Sequence, residues 1–274
     1  MTGLELFLEY EFLQLALAAS GVMALLAGAL GVPLVLREMA MFGHGFAHVS
    51  YAGVALGLLA GLYPLGVALV VTVVGALVME RLRARGAFSG DTRLAVVVSV
   101  GFAIGVTTVS LAGGFTTHVH AYLFGSLFSV TSTELWAMLP LAGALLAAFT
   151  LLYKEIFYIT LDEEAAHLSG VPVGWINAAL LALTAATIVL ASRVVGLLLV
   201  AALLVIPAAT ALQMATSFKG AILGSMTVGL VSVVLGLAAA VSVDVAAGGA
   251  IVLVGGAVFA LVTGARRAGL VQRG

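Results

Sequence analysis

Apolar runs of about twenty residues follow one another along almost the whole chain, separated only by short polar breaks. An α-helix rises 1.5 Å per residue, so each run is long enough to cross a hydrocarbon layer about 30 Å thick. A single soluble domain has no interior that hides so many runs, because 63% of the 274 residues are hydrophobic and only 8% are charged. Stretches such as Ala201-Ala202-Leu203-Leu204-Val205-Ile206 do not alternate in polarity, which excludes an outer-membrane barrel. The expected fold is an all-α integral membrane protein, a polytopic bundle of about eight or nine transmembrane helices in one domain over residues 1–274.

The polar breaks place spans near residues 12–36, 45–62, 65–79, 94–112, 136–153, 174–192, 194–213, 220–241 and 248–264. With the acidic N-terminus (Glu5, Glu9, Glu11) outside, Arg37, Arg81, Arg83, Arg85, Arg93, Lys154, Lys219, Arg266, Arg267 and Arg273 fall inside. Only Arg193 falls outside, so the positive-inside rule is met almost completely. The break over residues 37–48 is short and also fits a broken helix within the membrane, which leaves counts of eight or ten open. No basic residue precedes the first run, so a cleavable signal peptide is not expected.

Several function classes drop out. A net charge of -1 with dispersed basic residues leaves no footprint for nucleic acid. Without cysteine there is no disulfide, thiolate metal site or thiol nucleophile. The two lysines, Lys154 and Lys219, do not follow a glycine-rich phosphate loop, so the chain is not its own ATPase. No serine-histidine-acid or paired-carboxylate arrangement points to an enzyme.

Glycine spacing marks packing faces. Gly53, Gly57 and Gly61 recur every four residues, and Gly101 and Gly105 form a second pair, each offering a groove for a neighbouring backbone. Pro207 interrupts an apolar helix and frees a carbonyl that lipid cannot satisfy, so a kink facing protein or a cavity is expected.

Ionisable groups at membrane depth cost a few kcal/mol each and belong on the bundle interior or a water-filled path. His44 and His48 are four residues apart, so both imidazoles share one helix face at metal-ligand spacing. The same spacing fits two neutral imidazoles bonded to each other or to carbonyls. Asp244 is the last acidic residue of the chain and offers a hard oxygen ligand, or it caps the helix that follows. His118 and His120 fall in an outer loop and are read as solvated.

The inner loop Thr160-Leu161-Asp162-Glu163-Glu164-Ala165-Ala166-His167-Leu168-Ser169-Gly170-Val171-Pro172 reads as a short capped helix. Thr160 with Glu163 forms a capping box, the acids suit the helix start, and Gly170 before Pro172 marks the stop. Such a charged helix is a lever for a cytoplasmic partner. A surface-lying amphipathic linker usually carries Lys and Arg instead.

The run Gly43-His44-Gly45-Phe46-Ala47-His48 with Gly53-Val54-Ala55-Leu56-Gly57 resembles the Gly-Asp-x-x-x-His segment of the membrane permeases of ABC importers for zinc, manganese and iron. Val194-Val195-Gly196-Leu197 through Ile206-Pro207-Ala208-Ala209-Thr210, and Asp244 with Gly248-Gly249, are similar to two further stretches of that family. The resemblance implies one permease domain over residues 1–274 in the cell (inner) membrane and a homodimer enclosing the path. It also implies two cytoplasmic ATPase subunits and an extracytoplasmic metal-binding protein. By the same match, the short cytoplasmic helix with Thr160, Asp162, Glu163, Glu164, His167 and Gly170 is the coupling helix, and His48 and Asp244 line the metal path.

His44 stands where the family usually has aspartate. Imidazole in place of carboxylate softens the site and shifts preference from manganese toward zinc. The resemblance thus implies a divalent metal as cargo, with zinc favoured and no permanently bound cofactor expected. An ion-gradient-driven secondary metal transporter using Glu38, the histidines or Asp244 is the alternative, with a metal-chelate importer and a membrane zinc enzyme behind it.

Overall fold

The computed structural model describes residues 10–86, 90–112 and 131–268. His118 and His120 lie outside the described residues. In chain order the helices are α1 (Glu11–Leu36), α2 (Ala40–Ala60), α3 (Pro64–Ala84), α4 (Gly90–Leu111), α5 (Ser132–Leu151), α6 (Tyr153–Leu161), α7 (Glu163–Leu168), α8 (Val173–Val195), α9 (Leu197–Ala211), α10 (Phe218–Val243) and α11 (Ala247–Arg267). No strand occurs among the described residues.

Each of the nine apolar segments coincides with a helix, but the helices are not equivalent. Among the described residues seven, namely α1, α3, α4, α5, α8, α10 and α11, are long and apolar enough to cross a membrane. Helix α2 is 21 residues long, but His44, His48, Ser50 and Tyr51 lower its hydropathy. Helix α9 has 15 residues and rises only about 22 Å, less than the hydrocarbon thickness. It is separated from α8 by Gly196 alone, whose φ of 92° and ψ of 147° stop one helix and start the next.

Helices α1 and α8 form the middle of the bundle, with 67% and 72% of their most apolar stretch buried, whereas α5 reaches 22%. Helix α1 lies against α9 and α10, α8 lies against α3, and α2 is held between α3 and α4. The glycines explain the position of α2. A Cβ on Gly53 or Gly57 would run into the backbone of Ala68 or Pro64 on α3, while Gly101 and Gly105 of α4 receive Val49 and the Tyr51 ring. Gly61, grouped with them by spacing, does something else: at φ 65° it ends α2 in the left-handed region that glycine adopts without strain.

Pro207 sits inside α9 and is buried. It lines a gap of about 10 Å³ with Ser232 of α10 and Ile251 and Gly255 of α11, so the freed backbone faces protein, as lipid exposure would forbid.

Ion pairs gather at both ends of the bundle. At one, Arg37, Arg83 and Glu163 meet; at the other, Arg193 pairs with Glu134 at 2.7 Å. The positive-inside rule assigns the first end to the cytoplasm.

Candidate metal path and coupling face

His44 and His48 lie on one face of α2, both half-buried, with their Nε2 atoms 3.1 Å apart. The rings meet edge to face at 4.7 Å, and His48 packs on Phe102 of α4 at 5.2 Å. Phe102 is the thirteenth of the 22 residues of α4, which sets His48 near mid-depth, with His44 one turn nearer the Ala40 end of α2. One Nε2 donates to the other. Two nitrogens bound at 2.0–2.1 Å to a tetrahedral zinc stand about 3.3 Å apart, so the observed spacing lets both lone pairs turn to one ion once the donor ring carries its proton on Nδ1 instead.

Asp244 does not join them in one copy of the chain. Among the described residues no group of three or more His, Cys, Asp or Glu gathers that could hold a metal ion. Asp244 is exposed at the far end of α10, in the left-handed region at φ 56°, ψ 52°. The Val245 amide bonds back to the Ala240 carbonyl at 3.2 Å, which makes a Schellman stop with Asp in the place glycine usually takes. As a cap, then, Asp244 ends α10 rather than starting α11, whose first turn has no side-chain cap.

The same motif shapes the α1–α2 elbow. The Met39 amide bonds the Leu34 carbonyl at 2.7 Å, and Glu38 holds the left-handed position at φ 58°. Asp244 and Glu38 are the two non-glycine residues at positive φ among the described residues.

The short inner helix forms as α7, but not with the expected box. Asp162, extended at φ -156°, is the N-cap, and its side chain accepts from the Ala165 amide at 2.9 Å. Thr160 is still inside α6 and donates to the Ile156 carbonyl at 2.6 Å, so it cannot cap α7. Glu163 is taken by arginines instead. Gly170 stops the helix at φ 83°, with the Val171 amide on the Ala166 carbonyl at 3.1 Å. Glu164, His167 and Leu168 are exposed, Leu168 at 82%, so this face of α7 is presented outward.

Glu163 points the other way. Arg37, with a side chain only 6% exposed, donates to Glu163 Oε2 at 2.6 Å, to Asn177 Oδ1 at 2.8 Å and to the Ile159 carbonyl at 2.6 Å. Arg83 donates to Glu163 Oε1 and to Glu80 Oε2, both at 2.9 Å. Burial alone pushes the Glu163 carboxyl up; the Arg83 hydrogen bond and the charges of Arg83 and Arg37 outweigh it, and its pKa falls below the ordinary carboxylate range. Burial likewise depresses the Arg37 pKa against the attraction of Glu163.

In the sequence Arg37 and Arg83 stand out only as topological charges, and Glu80 and Asn177 do not stand out at all. One signal was present: Asn177, an amide early in the apolar run of α8, needs a partner when 1% exposed.

The fold and these features define a class of protein, a polytopic α-helical membrane protein with a histidine pair near mid-depth and a charged helix at one end. The chain belongs to the ABC 3 transport family, whose pattern matches residues 9–265. It is 32% identical to the high-affinity zinc uptake system membrane protein ZnuB of Haemophilus influenzae, over 92% of this chain and 97% of that protein. It is 30% identical to the manganese transport system membrane protein MntC of Listeria monocytogenes, over 94% of this chain and 92% of that one. The solved PsaBC from Streptococcus pneumoniae in complex with Fab matches with a TM-score of 0.83 at 30% identity, covering 95% of this chain and 94% of that chain. The family resemblance drawn from the sequence motifs is borne out, and the chain is a multi-pass membrane protein of a transport family.

Proposed function

We propose that this chain is the membrane permease of an ATP-driven divalent metal importer, with zinc the favoured cargo. The observation that carries the reading is the pair of Nε2 atoms 3.1 Å apart on α2, near mid-depth of a bundle belonging to a transport family. Relatives named for zinc and for manganese support a divalent metal. The choice of zinc rests on imidazole at position 44.

In this reading two copies enclose one path, a binding protein delivers the ion from outside, and two ATPase subunits act from the cytoplasm. The ion pauses at His44 and His48, with water or an Asp244 contributed by the second copy completing its shell. Two imidazoles hold it without a closed four-ligand cage, so it leaves when the path opens inward. Helix α7, with Glu164, His167 and Leu168 outward, is the docking and coupling element.

The test is uptake of radioactive zinc and manganese by vesicles containing the permease and its ATPase, with and without ATP. ATP-dependent zinc uptake supports the reading. Uptake that needs no ATP and collapses with the proton gradient replaces it with a secondary transporter.

A further inference from the structure

The charged cluster at the inner end joins elements that the sequence keeps apart. Glu163 opens α7, Arg37 closes α1, Arg83 ends α3, and Asn177 lies in the first turns of α8. One carboxylate serves all three: Oε2 accepts from Arg37, Oε1 accepts from Arg83, and the Asn177 amide donates to Oε1 at 3.3 Å. The Arg37 guanidinium also grips the end of α6 through the Ile159 carbonyl.

The position of Arg37 in the chain ties this cluster to the histidines. Only Glu38 and Met39 separate it from α2, and the Schellman bonds leave that elbow no slack. His44 is seven residues beyond Arg37. Arg83 closes α3, whose backbone lies in the glycine groove of α2. Both arginines that hold Glu163 therefore belong to segments that fix where α2 sits. Glu164, next in sequence, is exposed and has no part in this grip.

From this arrangement we infer that the Glu163 carboxylate is the linkage that carries movement of α7 into α2, so that it positions the histidine pair without touching the metal. The inference rests on the importer reading and names the residue through which ATP hydrolysis reaches the path. Breaking the linkage uncouples the two activities: the ATPase still docks on the outward face of α7 and hydrolyses ATP, while α2 no longer follows.

The experiment compares unmodified permease, Glu163→Gln and Glu163→Asp in vesicles with the ATPase, reading zinc taken up per ATP hydrolysed, ATPase retention in a pull-down, and thermal stability. Glu163→Gln should lower the ratio of zinc to ATP about tenfold, with retention unchanged. Glu163→Asp, which keeps the charge, should recover part of the ratio. Arg83→Gln breaks the grip from α3, outside the docking face, and should lower the ratio in the same way if Glu163→Gln does not fold. An unchanged ratio in a folded Glu163→Gln or Arg83→Gln overturns the linkage, as does loss of ATPase retention in step with uptake. ATP-independent uptake by the unmodified permease overturns the importer reading itself, a different result from either.

Discussion

Arg37 donates to Glu163 across 2.6 Å, although 126 residues separate them in sequence. Its guanidinium is almost buried while the carboxylate is 43% exposed, so solvent screens one side of the pair only. A carboxyl whose pKa is depressed by folding adds stability above its unfolded pKa and loses it as pH falls through the folded one. Attachment of α7 should therefore be constant from about pH 8 to about pH 5 and weaken below that. Hydrogen exchange at the amides of 163–168 checks this, and Glu163→Gln should remove the acid limb of the profile.

His48→Ala leaves His44 as a single imidazole on α2 and should cut zinc uptake at least about tenfold, the effect of about 1.4 kcal/mol of lost interaction. The protein should still fold, because the half-buried ring packs on Phe102 rather than filling the core. Uptake equal to the unmodified chain removes the pair from the path.

Restoring a carboxylate at position 44 hardens the site. His44→Asp should shift the ratio of manganese to zinc uptake toward manganese, on the order of tenfold. Competition between the two radioactive ions in one vesicle preparation reads the ratio directly, and no shift would falsify the claim that position 44 sets the metal.

Asp244 has two readings that one substitution separates. Asp244→Gly relieves the left-handed backbone and should raise stability by about 1 kcal/mol. If Asp244 also lines the path, the more stable protein should transport less zinc. Thermal stability and uptake measured on the same sample decide between cap alone and cap with ligand.

Gly53→Val places a branched side chain against the Ala68 backbone. Overpacking of this kind costs about 1–3 kcal/mol, and here α2 cannot back away because Val49 and Tyr51 already fill the α4 side. A lowered melting temperature in detergent is expected, whereas Gly61→Ala should act only through backbone strain at the helix stop.

The membrane bundle was legible because hydropathy and helix period act along the chain, so each apolar segment matches one helix within a few residues. The spacing of His44 and His48 was legible for the same reason, since the i, i+4 rule is local. What sequence could not give was the third dimension. Thr160 and Glu163 satisfy a capping-box pattern, yet Glu163 was already claimed by Arg37 and Arg83, contacts spanning 126 and 80 residues. Asp244 matched a family stretch, but its distance from the histidines depends on how α10 and α2 run through the bundle. Gly61 shared the spacing of Gly53 and Gly57 and differed only in backbone angle.

The tight elbow at Arg37, Glu38 and Met39 makes α2 a lever with its fulcrum at one end. Along the axis from Ala40, His44 is about 6 Å out, His48 about 12 Å and Ala60 about 30 Å. A tilt that moves His44 by a given amount moves the opposite mouth about five times as far. In the proposed importer reading, the histidine pair lies on the short arm and the outer mouth on the long one, so a small tilt at the pair becomes a large displacement at the mouth.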